Sequence, residues 1–374
     1  MAIEVHILGT SSARPTGIRQ VSGSLISCRD GIAVVDAGEG FQSRFAQQRK
    51  RMKSFETYKL KSSKVDVLCL THGHLDHTWG VLPWLQSLAL DNRTQPLLII
   101  GPTTDGVIDA MLGDKPLPED TPRSDLSIQF SFWHQLGSVS SNLGYEVRWV
   151  LGAVGSNRWI ELTGQNEIIQ LSQMPQPDGW QHNRIDAIPT VHTMPSCAWQ
   201  VSAKSKKGKF DRSRATELGL SEDDKAKLAA GTDVSKNGKL LLSEDFRGQE
   251  ISALSVIISG DTAEMAPGLT SIRGCNLLIH EATFLDDFTQ HAKDYLHSTA
   301  SGAARTAMAC GAQHLVLTHY GARIKQTTPS LDEAMSVLSN SNISLSAARD
   351  GDRVLVEETG EISHLYWRDD GWTR

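Results

Sequence analysis

Long apolar runs are missing from this chain. None of its segments approaches the ~20 residues that a membrane-spanning helix needs, so no membrane association is expected. A basic leader is missing as well. Met1-Ala2-Ile3-Glu4-Val5-His6 passes straight into a strand pattern, which makes a cytoplasmic location the expectation. Cysteine is scarce and scattered: the five residues (Cys28, Cys69, Cys197, Cys275, Cys310) are odd in number and form no C-x-x-C pair. That argues against a disulfide frame and a thiolate zinc site. Positive charge is in deficit, with a formal net charge of -6. General nucleic-acid binders are usually basic, so any attraction for a polyanion must come from a local patch. Internal repeats and low-complexity segments are also lacking. What remains is ordinary for a globular chain: 374 residues, 39% hydrophobic and 21% charged.

Period-two patterning predicts strands at Glu4–Leu8, Gly23–Cys28 and Ile32–Asp36, the last two a hairpin around Arg29-Asp30-Gly31. Helices are expected over Phe41–Arg51 and Asp76–Ala89, the latter with Trp79, Leu82 and Leu85 at helical spacing. Between residues 103 and 180, Leu126–Trp133, Tyr145–Val150 and Ile168–Leu171 read as strands of a second sheet. Later strands are expected at Ile185–Val191, Cys197–Val201, Leu254–Ile258, Leu277–His280, Leu315–His319 and Arg353–Val356. A helix over Thr299–Cys310 would take Ser298 as N-cap and Gly311 after its end. Residues 203–250 differ in composition. Lys204, Lys206, Lys207, Lys209, Arg212 and Arg214 crowd together ahead of a helical stretch, which reads as an inserted arm.

The chemistry concentrates at Thr71-His72-Gly73-His74-Leu75-Asp76-His77, three imidazoles and a carboxylate directly after the strand Val65–Leu70. Imidazole and carboxylate suit zinc and similar divalent metals. His72 and His74 alternate along an extended segment, so their rings can point the same way. Asp76 and His77, at the turn into a helix, can serve a neighbouring position. His192, Asp261 and His319 also follow apolar runs, so all these groups collect where strands end. Two metals ~3.5–4 Å apart would need a bridging carboxylate, and Asp261 is the candidate.

The pattern resembles the metallo-β-lactamase fold, and within it the ribonuclease Z family of tRNA 3′-processing endonucleases. Thr71–His77 matches the superfamily signature, while His280-Glu281-Ala282-Thr283-Phe284 and His297-Ser298-Thr299-Ala300 look like two loops of the ribonuclease Z branch. Leu8–Pro15, Asp36–Gln42, His192–Ser196, Ser259–Thr262, Leu317–Tyr320 and Ala348–Gly351 are similar to other segments of that family. The resemblance implies an α/β fold, an αββα sandwich spanning residues 1–374 with an inserted arm at 203–250. It implies one metal on His72, His74 and His192, another on Asp76, His77 and His319, and Asp261 between them. Two Zn2+ are expected, with Mn2+ or Fe2+ as alternatives. Asp76 would help deprotonate the attacking water, and His297, oriented by Glu281, would act as general acid or stabilise the pentacoordinate phosphorus. The basic stretch Lys204–Arg214 falls where the family carries an arm that grips tRNA. The expected partners are precursor tRNA and a second copy of the chain, and the expected reaction removes the 3′ trailer and leaves a tRNA 3′-hydroxyl. The competing expectation is a dinuclear phosphodiesterase acting on a small or cyclic ester. A thioester or lactam hydrolase would not need His297 and Glu281, and a non-catalytic RNA-binding relative would lack metal ligands.

Overall fold

A computed structural model describes residues 2–56, 59–163, 167–205, 208–248, 253–368 and 370–374. The chain opens with strands β1 (Ile3–Gly9), β2 (Gly23–Ser27) and β3 (Ile32–Ala37), helix α1 (Phe41–Phe55) and strand β4 (Val65–Cys69). Helices α2 (Leu75–Thr78) and α3 (Val81–Leu90) lead to β5 (Leu97–Pro102). Helices α4 (Asp105–Leu112), α5 (Leu126–Gln135) and α6 (Ser140–Leu143) precede β6 (Val147–Ala153), β7 (Arg158–Leu162) and β8 (Ile168–Leu171). After β9 (Asn183–Pro189) and β10 (Cys197–Ala203), the arm contributes α7 (Arg212–Glu217), α8 (Glu222–Ala230), β11 (Val234–Lys236) and β12 (Lys239–Leu241). The C-terminal half runs β13 (Ser255–Ile258), α9 (Pro267–Thr270), β14 (Cys275–Glu281), α10 (Thr289–Asp294), α11 (Ala300–Cys310), β15 (Ala312–Thr318), α12 (Thr328–Leu338) and β16 (Ser344–Ala347). Strands β17 (Arg353–Val356), β18 (Ile362–Arg368) and β19 (Gly371–Thr373) close it.

Two large sheets result, one in the order β19-β18-β17-β1-β2-β3-β4-β5-β6-β7-β8 and one in the order β16-β15-β14-β13-β10-β9. Alternation along the strands sorts their side chains into layers. Val67 and Cys69 of β4, with Leu98 and Ile100 of β5, face Trp199, Val256 and Ile279 of the other sheet. Leu68, Leu97 and Ile99 face outward and pack beneath Phe41, Trp84, Leu85 and Phe130 of the helices. On the far side, Leu278, Leu315 and Leu317 pack against the small face Ala300, Ala303, Ala304 and Ala307 of α11. Both faces of the central strands are therefore covered, which is why those strands read as continuous apolar runs. The layering is helix, sheet, sheet, helix, as expected for an αββα sandwich.

Several local expectations change. Leu126–Gln135 is a helix, not a strand. Asp125 caps it by accepting from the Ser127 amide at 2.9 Å, and Leu126, Phe130 and Trp133 recur at helical spacing on its buried side. Strands β6, β7 and β8 extend the first sheet instead of starting a second. The helix expected over Asp76–Ala89 is broken at Trp79-Gly80. A Cβ on Gly80 would lie 2.3 Å from the Gly38 carbonyl oxygen, so the close crossing requires glycine. Trp79 consequently points outward and is 62% exposed, while Trp84 takes the core position. Thr299, not Ser298, caps α11, accepting from the Gly302 amide at 3.0 Å.

Two buried histidines tie stability to pH. The His6 Nδ1 atom accepts from Gln48 Nε2 at 3.1 Å, and burial lowers the ring to about 4. His314 is likewise lowered to about 4 by burial, then by His364 nearby. An unfolded histidine titrates near ~6.5, so as pH falls from there toward 4 the unfolded chain binds protons that the folded chain refuses. Each ring should cost up to about 3 kcal/mol over that window, at ~1.4 kcal/mol per pKa unit. The urea midpoint of the protein is therefore expected to drop between pH 7 and pH 4.5. His314→Asn should flatten that dependence, and an unchanged slope in the variant would remove His314 from the explanation.

Candidate metal centre

Every chemistry-bearing group lies at the same edge of the sandwich. His72, His74, Asp76 and His77 follow β4, Asp261 follows β13, Glu281 ends β14 and His319 follows β15. Strand β4 runs parallel to β3 and β5, and β13, β14 and β15 run parallel to one another, so the carboxyl ends open together within each sheet. His192 enters from the turn of the β9–β10 hairpin. The backbone here is held in costly conformations. Asp36 and His319 both have φ of 58°, a left-handed region that non-glycine residues seldom occupy outside functional sites. Gly260, at φ +59°, passes so close to Thr71 that a Cβ would sit 2.5 Å from the Thr71 Cβ.

The donors form two groups that meet at Asp261. In the first, His72 Nε2 lies 3.0 Å from His74 Nδ1, which lies 3.2 Å from His192 Nε2. In the second, His77 Nε2 lies 3.3 Å from His319 Nε2, and Asp76 Oδ2 lies 3.5 and 3.6 Å from those two atoms. Asp261 offers Oδ2 to the first group, 3.7 Å from His72 Nε2, and Oδ1 to the second, 3.3 and 3.2 Å from His77 and His319. Four ligands ~2.0–2.1 Å from a zinc ion stand roughly 3.3–3.4 Å apart along a tetrahedron's edges. The observed separations cluster about that value.

In four of the five histidines the second ring nitrogen decides which atom faces inward. His77 Nδ1 pairs with Asp36 Oδ2 at 2.6 Å, His192 Nδ1 with the Leu296 carbonyl at 3.0 Å, and His319 Nδ1 with Thr283 Oγ1 at 3.0 Å. His72 Nδ1 sits 3.1 Å from Thr71 Oγ1. Such outer contacts fix the tautomer and aim the free nitrogen at a metal. Asp261 Oδ1, fully buried, has no hydrogen-bond partner among the described residues despite two ring nitrogens close by. An oxygen aimed at a shared point, not along any N–H, suits a cation between the groups. The donor set therefore fits two divalent ions.

Electrostatics point the same way. Burial, reinforced by His77, holds His72 well below the ordinary imidazole range, and burial with His192 lowers His74 to about 4. His192 is lowered by burial too. These three are neutral ligands in waiting. His77 is the exception: burial opposes its charge, but Asp261, Asp76 and Asp36 outweigh it and raise it well above its usual range. A divalent cation would supply the positive charge that this proton supplies. Asp76 and Asp261 stay ionised against burial because of the surrounding histidines.

His297 and Glu281 stand beside the two groups. His297 Nδ1 lies 2.8 Å from Glu281 Oε1, and the His297 ring stacks at 5.8 Å on that of His319. Burial opposes a charge on His297, yet the Glu281 carboxylate raises it to about 9. Glu281 is itself fixed by the Thr262 amide at 2.8 Å and by Thr283 Oγ1. Thr71 and Thr283 are functional neighbours that sequence reasoning missed. Each sits one or two residues from a recognised group, but a threonine there has no signature of its own.

The proposed RNA-contact residues are split. Lys206 and Lys207 lie outside the described residues. Lys204 Nζ donates to the Gln181 carbonyl at 2.7 Å. Arg212 pairs with Glu222 at 2.7 Å, and Arg214 donates to the Asp245 carbonyl while lying 5.3 Å over the Phe246 ring. The arm has a small core of its own in Ala215, Leu220, Leu228, Val234 and Phe246. With eleven Lys and Arg against nine Asp and Glu over 203–250, it is only slightly basic.

Comparison with known proteins agrees with this geometry. Residues 16–124 match the metallo-β-lactamase superfamily. YhfI of Bacillus subtilis, a metallo-β-lactamase fold protein, superimposes with a TM-score of 0.55 at 16% identity, covering 95% of this chain and 100% of that one. The chain is a metal-dependent hydrolase with the metallo-β-lactamase fold. Within that class it is similar to ribonuclease Z. It is 28% identical to ribonuclease Z of Methanosarcina mazei over 90% of this chain and 94% of that protein. It is also 28% identical to ribonuclease Z of Gemmatimonas aurantiaca, over 97% and 99% respectively. The short form of human tRNase Z superimposes with a TM-score of 0.53 at 20% identity, covering 94% of this chain and 98% of that one.

Proposed function

We propose that this protein is an endoribonuclease that removes the 3′ trailer from precursor tRNA by phosphodiester hydrolysis. The observation that carries the reading is the His297–Glu281 pair set against a group of three histidines and a group of two histidines and an aspartate, with Asp261 shared between them, in a chain similar to ribonuclease Z over nine-tenths of its length. Zinc is the expected metal, held on one side by His72, His74 and His192, on the other by Asp76, His77 and His319, with Asp261 shared. Divalent ions there would lower the pKa of water and neutralise charge on a phosphoryl group.

The chain's own groups supply the rest. The Asp76 carboxylate, steadied by the Ala13 amide at 2.8 Å, accepts the proton of the attacking water. Glu281 occupies His297 Nδ1, which leaves Nε2 to deliver a proton to the departing 3′-oxygen of the tRNA. The arm at 203–250 serves as an outlying grip on tRNA phosphates, with Lys204, Lys206, Lys207, Lys209, Arg212 and Arg214 as its cations. Its weak net charge assigns much of the grip to geometry. The test is cleavage of a precursor tRNA by the metal-loaded protein and by a variant lacking residues 204–250. Turnover of a chromogenic phosphodiester alone, unaffected by the deletion, would favour the small-ester alternative.

A homodimer is part of this proposal. Leu75, Trp79, Phe132 and Leu136 are each more than half exposed and line one apolar groove of about 510 Å³ between α2–α3 and α5. Exposed apolar area of this kind marks a protein contact, and the same groove on a second copy is the proposed cover. Light scattering should give roughly twice the chain mass of 40.9 kDa, and Trp79→Asp with Phe132→Asp should return it to one chain. A monomeric mass for the unaltered protein at tens of micromolar would contradict the dimer.

A further inference from the structure

A second cavity, of about 310 Å³, opens beside the metal centre between the loops that follow β1, β14 and β15. Its volume falls in the ~300–1,000 Å³ range of small-molecule sites, enough for one nucleoside and too little for a duplex. Phe284, Phe288, Arg14 and Arg323 are among the residues that line it. The Arg323 guanidinium lies 4.8 Å from the centre of the Phe288 ring, and the Phe284 ring lies 6.0 Å from that of the proposed acid His297. Both phenylalanines are half-buried and both arginines are exposed.

The walls are continuous with the catalytic groups. Ala13, on one side, donates to Asp76, and Thr283, on the other, holds His319. The cavity is also fixed in shape. Buried Arg19 donates to the Ile324 carbonyl and lies 4.7 Å over the Tyr320 ring, which binds the loop after β1 to the loop after β15. The Ser12 amide adds a 3.0 Å bond to the Tyr320 carbonyl.

From this geometry we propose that the cavity is a base subsite. It takes the unpaired base of one nucleotide adjoining the scissile phosphate, stacked on Phe288 and Phe284, with Arg14 and Arg323 on the neighbouring phosphates. The inference rests on the proposed RNA cleavage and adds to it a contact on the flanking nucleotide. Aromatic walls with guanidinium planes are the chemistry that captures splayed single-stranded bases, independent of which base is offered. A stacked base contributes ~1–3 kcal/mol by alanine substitution, a factor of roughly 5 to 150 in kcat/KM.

The test is a double-mutant cycle between protein and RNA. Precursor tRNA is made with an abasic residue on either side of the cleavage site, and kcat/KM is measured for the unaltered protein, Phe288→Ala, Arg323→Ala and Phe288→Tyr. The proposal expects Phe288→Ala to lose about tenfold on intact RNA. It expects that loss to vanish on one of the two abasic substrates, and Phe288→Tyr to restore the rate. Equal losses on intact and both abasic substrates would overturn the subsite while leaving RNA cleavage standing. If the unaltered protein hydrolyses bis(p-nitrophenyl) phosphate but no precursor tRNA, the RNA reading itself fails and the subsite with it.

Discussion

Asp261→Ala is expected to lose at least one of the two metal ions proposed here and to lower kcat/KM on the order of 10³-fold or more. Among the described residues, the carboxylate is the one group that faces both donor sets, Oδ2 toward His72 and His192 and Oδ1 toward His77 and His319. Without it, two dications would share five imidazoles and one carboxylate, leaving much of their charge buried and uncompensated. Asp261 is 3% exposed, so the urea midpoint of the metal-free variant should be measured alongside. A folded variant that keeps two metals per chain by elemental analysis, with activity near that of the unaltered protein, would contradict the bridging role.

His297→Ala is expected to cost ~10²–10⁴-fold on precursor tRNA, the usual range for a lost general acid. The loss should be much smaller on bis(p-nitrophenyl) phosphate, whose phenolate departs near neutral pH without needing a proton. That contrast separates a proton donor from a residue that merely supports the metal ligands. Support is a real competitor here, since the His297 ring packs on those of His192 and His319. Glu281→Gln should move in the same direction, because the Glu281 carboxylate keeps His297 protonated. Equal losses on the two substrates would assign His297 to positioning.

The donors that converge at this edge were legible because each follows a strand, and a strand is readable from local patterning. His72 to His77, His192, Asp261 and His319 thus announce one sheet edge before any coordinate is known. Residues 126–135 were misread for a related reason. Their aromatic content suits a strand, and the helical recurrence of Leu126, Phe130 and Trp133 is only three residues long. The placement of β6 to β8 in the first sheet depends on pairing between distant segments, which leaves no local trace. The same holds for the groups that aim the ligands. Thr283 meets His319 across 36 positions, and the Leu296 carbonyl meets His192 across 104. Asp36 likewise holds His77 across 41 positions and the Thr71 amide across 35.

Analysis of the product ends after metal-loaded protein acts on a precursor tRNA tests the central claim most directly. The account predicts a single cut at the trailer, a tRNA ending in a 3′-hydroxyl and a trailer beginning with a 5′-phosphate. A 2′,3′-cyclic phosphate on the tRNA, or intact RNA alongside active hydrolysis of a small phosphodiester, would contradict it.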